Sequence, residues 1–435
     1  MRDSRIRLHA IARSRRTVTA VGGVLTACAL VTAHGVTPVE ASSGHTTRQQ
    51  KPTTVVSIGD SFISGEGGRW QGNAATSASS NNEMNGTDRA TECEGQVCVS
   101  DPKKIYGQSY ENPDAAPGTE ERKAGCHRSD VAEIISARSG HVKPINIACS
   151  GAETQHILRS PSGRKFKGEP PQADLLSAIA HESDVARVQI SIGGNDLAFS
   201  NIITACAMTF IKKVTDYCYK SWQPELIKNL PRVKEKVVGA VESVKATLRE
   251  AGNTRPEQVI TLQSYPSPLP LGGALRYHVG AGSFASSRWN PGGCPFYDQD
   301  ASWARTTVVP EIARMIRSAA AETGVNFLDL QNAFNGHEVC AKGVRQANKG
   351  ENRENPIPSK DAEWMRFISK GIPGGGGTQG EKEESLHPNA YGQKALGDCL
   401  QKYWYLALPS QRNEFRCLNT PGQGHNSMQV DRIND

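Results

Sequence analysis

No Cys-x-x-Cys and no His-x-x-x-His pair occurs in the 435-residue chain, so the common ligand spacings of a zinc site are missing and no metal is expected. No internal repeat is found, which sets aside architectures built by stacking one unit. Surplus charge is also scarce. Of 50 basic and 44 acidic residues, residues 1–41 hold six arginines against Asp3 and Glu40, which leaves 44 against 42 in the remainder. A nearly neutral chain lacks the basic excess that a nucleic-acid face needs, so the pI of 8.7 is no argument for a nucleic-acid partner. Nor does a stop-transfer pattern follow the apolar run near the N-terminus, and no stable membrane anchor is expected.

That N-terminal run has another meaning. Residues 2–16 are rich in arginine, residues 17–36 are mostly small and apolar, and Val39-Glu40-Ala41 resembles a small-x-small cleavage signature. Residues 1–41 are therefore expected to be a secretory signal peptide, and the mature protein to be extracellular. Ser14-Arg15-Arg16 leaves the general and twin-arginine export routes both open, because Thr17-Val18-Thr19 continues the motif poorly. Cys28 falls in this leader. The ten other cysteines are Cys93, Cys98, Cys126, Cys149, Cys206, Cys218, Cys294, Cys340, Cys399 and Cys417. An even number in an exported chain implies disulfides. Pairing neighbours would close five modest loops, each worth a few kcal/mol, although sequence alone does not fix the connectivity.

Apolar strand candidates recur at residues 53–58, 142–148, 187–192, 258–264 and 325–330. Helical segments are expected at residues 131–139, 173–181, 233–251, 311–322 and 390–406. In the third of these, Val233, Val237, Val238, Val241, Val244 and Leu248 share one face. Strands alternating with helices imply βαβ units, hence an α/β fold with a doubly wound parallel sheet whose ligands bind at the carboxyl ends of the strands. Three long irregular stretches, 69–125, 266–302 and 341–385, interrupt this pattern; the last contains Gly374-Gly375-Gly376-Gly377. One domain is expected over residues 52–418, followed by a polar tail over 420–435 with nothing to bury.

The chemistry concentrates at strand ends. After the first strand comes Gly59-Asp60-Ser61, after the second Ser150-Gly151, and after the third Gly193-Gly194-Asn195. A serine attacking a carbonyl needs donors aimed at the developing oxyanion, and the amides of Ser61 and Gly151 with the side chain of Asn195 would supply three. It also needs a base. His387, in Leu386-His387-Pro388, is the best candidate because Pro388 pins the turn and Glu384 precedes it by three residues, placed to hold the imidazole.

Gly59-Asp60-Ser61, Gly151, Gly193-x-Asn195 and His387-Pro388 resemble, in order and placement, the four motif blocks of the SGNH, or GDSL-type, hydrolase family. The resemblance implies a three-layer α/β/α sandwich around a five-stranded parallel sheet, with Ser61 as nucleophile and His387 as base. It assigns the oxyanion hole to Ser61, Gly151 and Asn195. The family usually has Asp where this chain has Glu384, and some members orient the histidine with a backbone carbonyl, so a triad and a dyad both stay open. Within the family the chain is most similar to secreted bacterial esterases and lipases with disulfide-stapled loops. Cys126-His127-Arg128-Ser129 and Phe334-Asn335-Gly336-His337 resemble segments of that branch, and structural roles are expected for His127 and His337. The implied activity is hydrolysis of carboxylic esters, small or lipid, by a cofactor-free monomer. Tyr265, Pro266, Leu269, Leu271, Phe284, Trp289 and Phe296 are candidates for an apolar acyl pocket. Acyl transfer or phospholipase action at the same site, and a non-catalytic binding module, are the alternatives.

Overall fold

The structure is a computed structural model that describes residues 51–74, 87–94, 97–138, 140, 142–348, 350–368, 379–408 and 411–433. The leader and the tetraglycine stretch lie outside these residues. Strand β1 (Thr53–Gly59) is buried along nearly its whole length, with Val55, Val56 and Ile58 in the core. Such a continuous apolar run marks a strand covered on both faces. The hairpin of β2 (Thr91–Glu94) and β3 (Val97–Ser100) stands apart and registers Cys93 opposite Cys98. The sheet continues with β4 (Lys143–Asn146), β5 (Asp184–Ser191), β6 (Ile260–Gln263), β7 (Asn326–Asp329), β8 (Glu414–Leu418) and β9 (Gln429–Arg432).

Among the described residues the order is β4-β1-β5-β6-β7-β8-β9, parallel throughout except for β9, which runs antiparallel to β8. The five expected strands are all present, and two more extend the sheet beyond β7. The last comes from the stretch expected to be a polar tail. Strand β9 offers little to bury beyond Val430, but as an edge strand it satisfies its backbone by pairing with β8, and the preceding Met428 is buried.

Six helices matter for the site: α1 (Ser61–Ser64), α2 (Gln172–Glu182), α3 (Phe199–Ile211), α4 (Tyr219–Glu250), α5 (Val309–Thr323) and α6 (Ala390–Leu406). Helix α4 packs against α2 and α5, whereas α6 packs against the short helix Glu133–Ser136. Helix α4 begins fourteen residues earlier than expected and runs through Pro224 and Pro231. Proline in a helix interior removes a hydrogen bond and signals a stop. Here Leu226, Leu230, Val233 and Val237 carry one buried stripe past Pro231, and packing overrides the local preference.

Disulfides join Cys126 to Cys149, Cys206 to Cys218, Cys294 to Cys340 and Cys399 to Cys417, each pair being neighbours in sequence order, and Cys98 is also disulfide-bonded. Among the described residues no helix is long and apolar enough to cross a membrane.

Candidate active site

Strand β1 ends at Gly59, where φ is +138° and a Cβ would fall 1.9 Å from the Ser191 carbonyl oxygen. Only glycine lets β1 approach β5 so closely at this point. The Gln172 side chain clamps the same peptide, accepting from Gly59 N at 2.7 Å and donating to its carbonyl at 2.9 Å. Asp60 then caps α1, its Oδ1 accepting from Phe62 N at 3.1 Å. Its other oxygen accepts from the Tyr265 hydroxyl, which in turn accepts from Gly194 N at 3.1 Å. Burial pushes the Asp60 carboxyl up to about 7, even though the Tyr265 bond pulls the other way.

These caps leave Ser61 at the mouth of a cavity, with its Oγ 2.7 Å from His387 Nε2. The other ring nitrogen, Nδ1, lies 3.1 Å from the Ser385 carbonyl. A carbonyl only accepts, so Nδ1 carries the hydrogen and Nε2 presents its lone pair to the serine hydroxyl. Burial lowers the pKa of His387, against the opposing charge of Glu66 and the Ser385 carbonyl. The resting ring is a neutral imidazole. That is the state a base needs.

The Gly151 turn is set by its neighbours, Ser150 N donating to the Cys126 carbonyl at 3.1 Å and Ala152 N to the Cys149 carbonyl at 3.0 Å. Gly151 itself takes φ +82°, a left-handed conformation that favours glycine. Asn195 spends one Nδ2 hydrogen on the Ala152 carbonyl at 2.9 Å, which fixes the amide beside this turn and leaves its second hydrogen. Asp196 locks the loop by accepting from Thr154 N at 2.9 Å, Thr154 Oγ1 at 2.8 Å and Lys236 Nζ at 3.0 Å. Among the described residues the amides of Ser61 and Gly151 have no acceptor within the protein. Ser61, Gly151, Asn195 and His387 thus line one cavity of about 350 Å³.

Glu384 is the exception. Its carboxylate points away from His387, accepting from Trp70 Nε1 at 2.5 Å and from the Tyr106 hydroxyl at 2.7 Å, with Arg69 Nη1 at 3.9 Å. The cause is a tight turn: His387 N donates to the Glu384 carbonyl at 3.3 Å and Leu386 sits at φ +57°. The turn swings the Ser385 carbonyl, rather than the Glu384 side chain, onto Nδ1.

The apolar wall of the cavity also differs from expectation. Of the seven residues proposed for it, Tyr265 and Pro266 line the cavity. Leu269 and Phe296 are buried in the core, Leu271 is half exposed, and Phe284 and Trp289 pack against the cluster of Phe210, Val279 and Tyr297. The wall is built instead by Phe199, Ile203 and Ala207 of α3, Val309 and Ile312 of α5, and Ile368. A signal for α3 was present: Phe199, Ile203 and Ala207 recur every fourth residue, beside a second apolar stripe of Ile202, Cys206 and Phe210 that faces the core. His127 and His337 are both buried outside the cavity lining. His337 stacks on Trp364 with ring centroids 3.8 Å apart and holds the Ala362 carbonyl at 2.8 Å through Nδ1.

Residues 117–395 match the GDSL-like Lipase/Acylhydrolase family, a span that takes in Gly151, Asn195 and His387. A lipase from Streptomyces rimosus is 22% identical over 296 residues, covering 66% of this chain and 80% of that protein. Among solved structures, the extracellular lipase from Streptomyces rimosus aligns with a TM-score of 0.39 at 18% identity, covering 82% of this chain and 100% of that one. A phospholipase A1 from Streptomyces albidoflavus aligns with a TM-score of 0.39 at 17% identity, with the same two coverages of 82% and 100%.

Proposed function

The chain belongs to the GDSL-like lipase/acylhydrolase family, and on that premise we propose that it is a secreted serine ester hydrolase with Ser61 as nucleophile and His387 as base. The reading rests on one contact above the others, the 2.7 Å approach of His387 Nε2 to Ser61 Oγ. His387 takes the hydroxyl proton as Ser61 attacks the ester carbonyl. The oxyanion is held by the Ser61 and Gly151 amides and the free hydrogen of Asn195. The protonated imidazole then gives its proton to the departing alcohol. Water, activated by the same ring, releases the acid from the acyl-enzyme. The Ser385 carbonyl keeps Nδ1–H in place throughout, so the catalytic unit is a dyad held by the main chain.

The cavity supports an acyl-bearing substrate. A space of about 350 Å³ falls within the range of small-molecule sites, and its apolar wall favours an acyl chain. Export is supported by the disulfides, which persist in oxidising compartments, and by the leader-like residues 1–41. A panel of p-nitrophenyl esters of increasing chain length, with phospholipids and acetyl-xylan beside them, tests the proposal. Hydrolysis of medium-chain esters, abolished in Ser61→Ala and matched by a fluorophosphonate adduct on Ser61, is expected. No turnover and no adduct would overturn it, and preferential transfer to an added alcohol would make the protein an acyltransferase.

A further inference from the structure

Glu66 has no part in the dyad or the oxyanion hole, yet it is fully buried beside both. It lies two residues past the end of α1, and its amide donates to the Ser61 carbonyl at 3.2 Å. Its Oε1 meets His127 Nδ1 at 2.7 Å, and the carboxylate also faces the Ser150 hydroxyl, next to Gly151. The following residue stands against the base: a Cβ on Gly67 would lie 3.4 Å from the His387 Cβ. A buried carboxylate is therefore set among the nucleophile's helix, the Gly151 turn and the imidazole.

His127 explains how that carboxylate stays charged. Its Nε2 lies 2.8 Å from the Lys123 carbonyl, an acceptor only, so Nε2 carries a hydrogen. Its Nδ1 faces a carboxylate and carries one as well. The ring is an imidazolium, stacked on Tyr106 and Tyr110 at centroid distances of 4.8 and 5.4 Å. Burial works against this charge, but Glu66 outweighs it and raises His127 to about 9. Reciprocally, burial opposes the Glu66 charge and His127 prevails, holding it below the usual carboxylate range. Glu66, His127 and Glu383 bring their polar atoms within 4.8 Å of one another, but an imidazolium has no lone pair for a metal, so this cluster is an ion-pair network. Lys167 stands beside Glu383 at 3.9 Å, and Glu384, tied to Arg69 and Tyr106, closes the network on the far side.

We propose that Glu66 is a positioning residue that stabilises the His387 imidazolium formed as Ser61 attacks, supplying from the first motif the negative charge that no carboxylate supplies at Nδ1. This rests on the assignment of Ser61 and His387 above. The influence already shows in the resting enzyme, where burial depresses His387 and the Glu66 charge is the leading influence against it. Without that charge the imidazolium becomes costlier and its pKa falls further.

The test is Glu66→Gln in the full chain, assayed on a p-nitrophenyl ester from acid to neutral pH, with folding checked by circular dichroism. Loss of this opposite charge predicts a fall in kcat of about tenfold to a hundredfold, an unchanged KM, and an acid limb of kcat/KM displaced to lower pH. A merely structural role would not move the limb. Should the single variant misfold, Glu66→Gln combined with His127→Gln removes both charges and strands neither; because the His127 charge itself pushes His387 down, a displacement in the same direction but smaller is expected. A folded variant of either kind with the wild-type acid limb would overturn the inference. A wild-type protein that hydrolyses no ester would overturn the assignment of Ser61 and His387 instead.

Discussion

Glu384→Gln separates two accounts of the base. If the carboxylate oriented His387 through Nδ1, as the acid of a triad does, an amide in its place would present the wrong partner and cost about 10⁴ in kcat. In the structure Nδ1 is held by the Ser385 carbonyl at 3.1 Å, while Glu384 bonds Trp70 and Tyr106. A glutamine has the same shape. Its amide oxygen keeps the Trp70 bond, and the Tyr106 hydroxyl can rotate to accept from its N–H. What disappears is a negative charge 3.9 Å from Arg69 Nη1, a gross attraction of about 4 kcal/mol at an effective dielectric of about 20. Two effects reduce that figure. Arg69 keeps its paired bonds to Asp88, both at 2.7 Å, and the burial that pushes Glu384 up from its ordinary pKa no longer counts against a charged form. The expected outcome is a loss of about 1–2 kcal/mol in stability, a fall of a few degrees in Tm at most, and kcat within about threefold of wild type. Steady-state hydrolysis and a thermal melt on the same preparation measure both. A kcat lowered a thousandfold with an intact melt would refute the reasoning, because it would require the carboxylate to reach the imidazole during turnover.

Three other outcomes are expected. Asn195→Ala removes one oxyanion donor and should lower kcat by about 10²–10³ with little change in KM; steady-state kinetics showing near wild-type turnover would remove Asn195 from the oxyanion hole. Tyr265→Phe leaves the buried Asp60 carboxyl and the Gly194 amide without their shared partner, a cost of about 1–3 kcal/mol for each, read by urea unfolding. Against the effect of burial, Glu66 raises His127 from the ordinary 6.5 to about 9, so the contribution of His127 is complete below 6.5 and is lost as pH rises through 9. Stability measured by urea unfolding should therefore drop across that window, by at most about 3 kcal/mol, and His127→Gln should flatten the drop; equal slopes in the two proteins would sink this account.

The parts of the site that were legible in the sequence are those whose placement is local. Ser61, Gly151 and Asn195 each follow a strand of the central sheet within a few residues, so identifying the strands identified one edge of the sheet and what stands on it. The parts that were not legible depend on distant partners or on the main chain. Nothing in the residue type of Ser385 announces that its carbonyl will meet an imidazole, since every residue has a carbonyl and only the turn at Leu386 aims this one. Glu384 looked placed for His387 by spacing, but Trp70 and Tyr106 stand 314 and 278 residues away in sequence and claim its two oxygens. The acyl wall was sought among aromatic loops, yet aliphatic faces of α3 and α5 supply most of it. Helix α4 was expected to start at residue 233, where its regular apolar face becomes evident, and its earlier turns from Tyr219 carry Pro224 and Pro231, whose local preference packing overrules.

The proposed base sits on a loop, and the way that loop is held bears on how a carbonyl orients its ring. The chain around His387 pairs with residues 364–366: Arg366 N donates to the His387 carbonyl and Leu386 N to the Arg366 carbonyl, both at 2.8 Å. Two residues on, Asn389 caps α6 through Tyr391 N and Gly392 N and donates to the Glu363 carbonyl at 2.7 Å. The first turn of α6 then reaches α1, because Gln393 Nε2 donates to the Phe62 carbonyl at 3.0 Å while its Oε1 accepts from Glu133 N, also at 3.0 Å. Ser61 and His387, 326 residues apart in sequence, are thus aligned by a hydrogen-bonded frame that owes nothing to the contact between them. In a triad the acid both orients the imidazole and stabilises its charge. Here the frame and the Ser385 carbonyl perform the first task, which leaves the second as the only one that still requires a negative charge. Coulomb attraction does not require a hydrogen bond to Nδ1, so in the proposal above a carboxylate beside α1 performs part of that second task, at the roughly tenfold to hundredfold expected for Glu66 rather than the about 10⁴ of a triad acid.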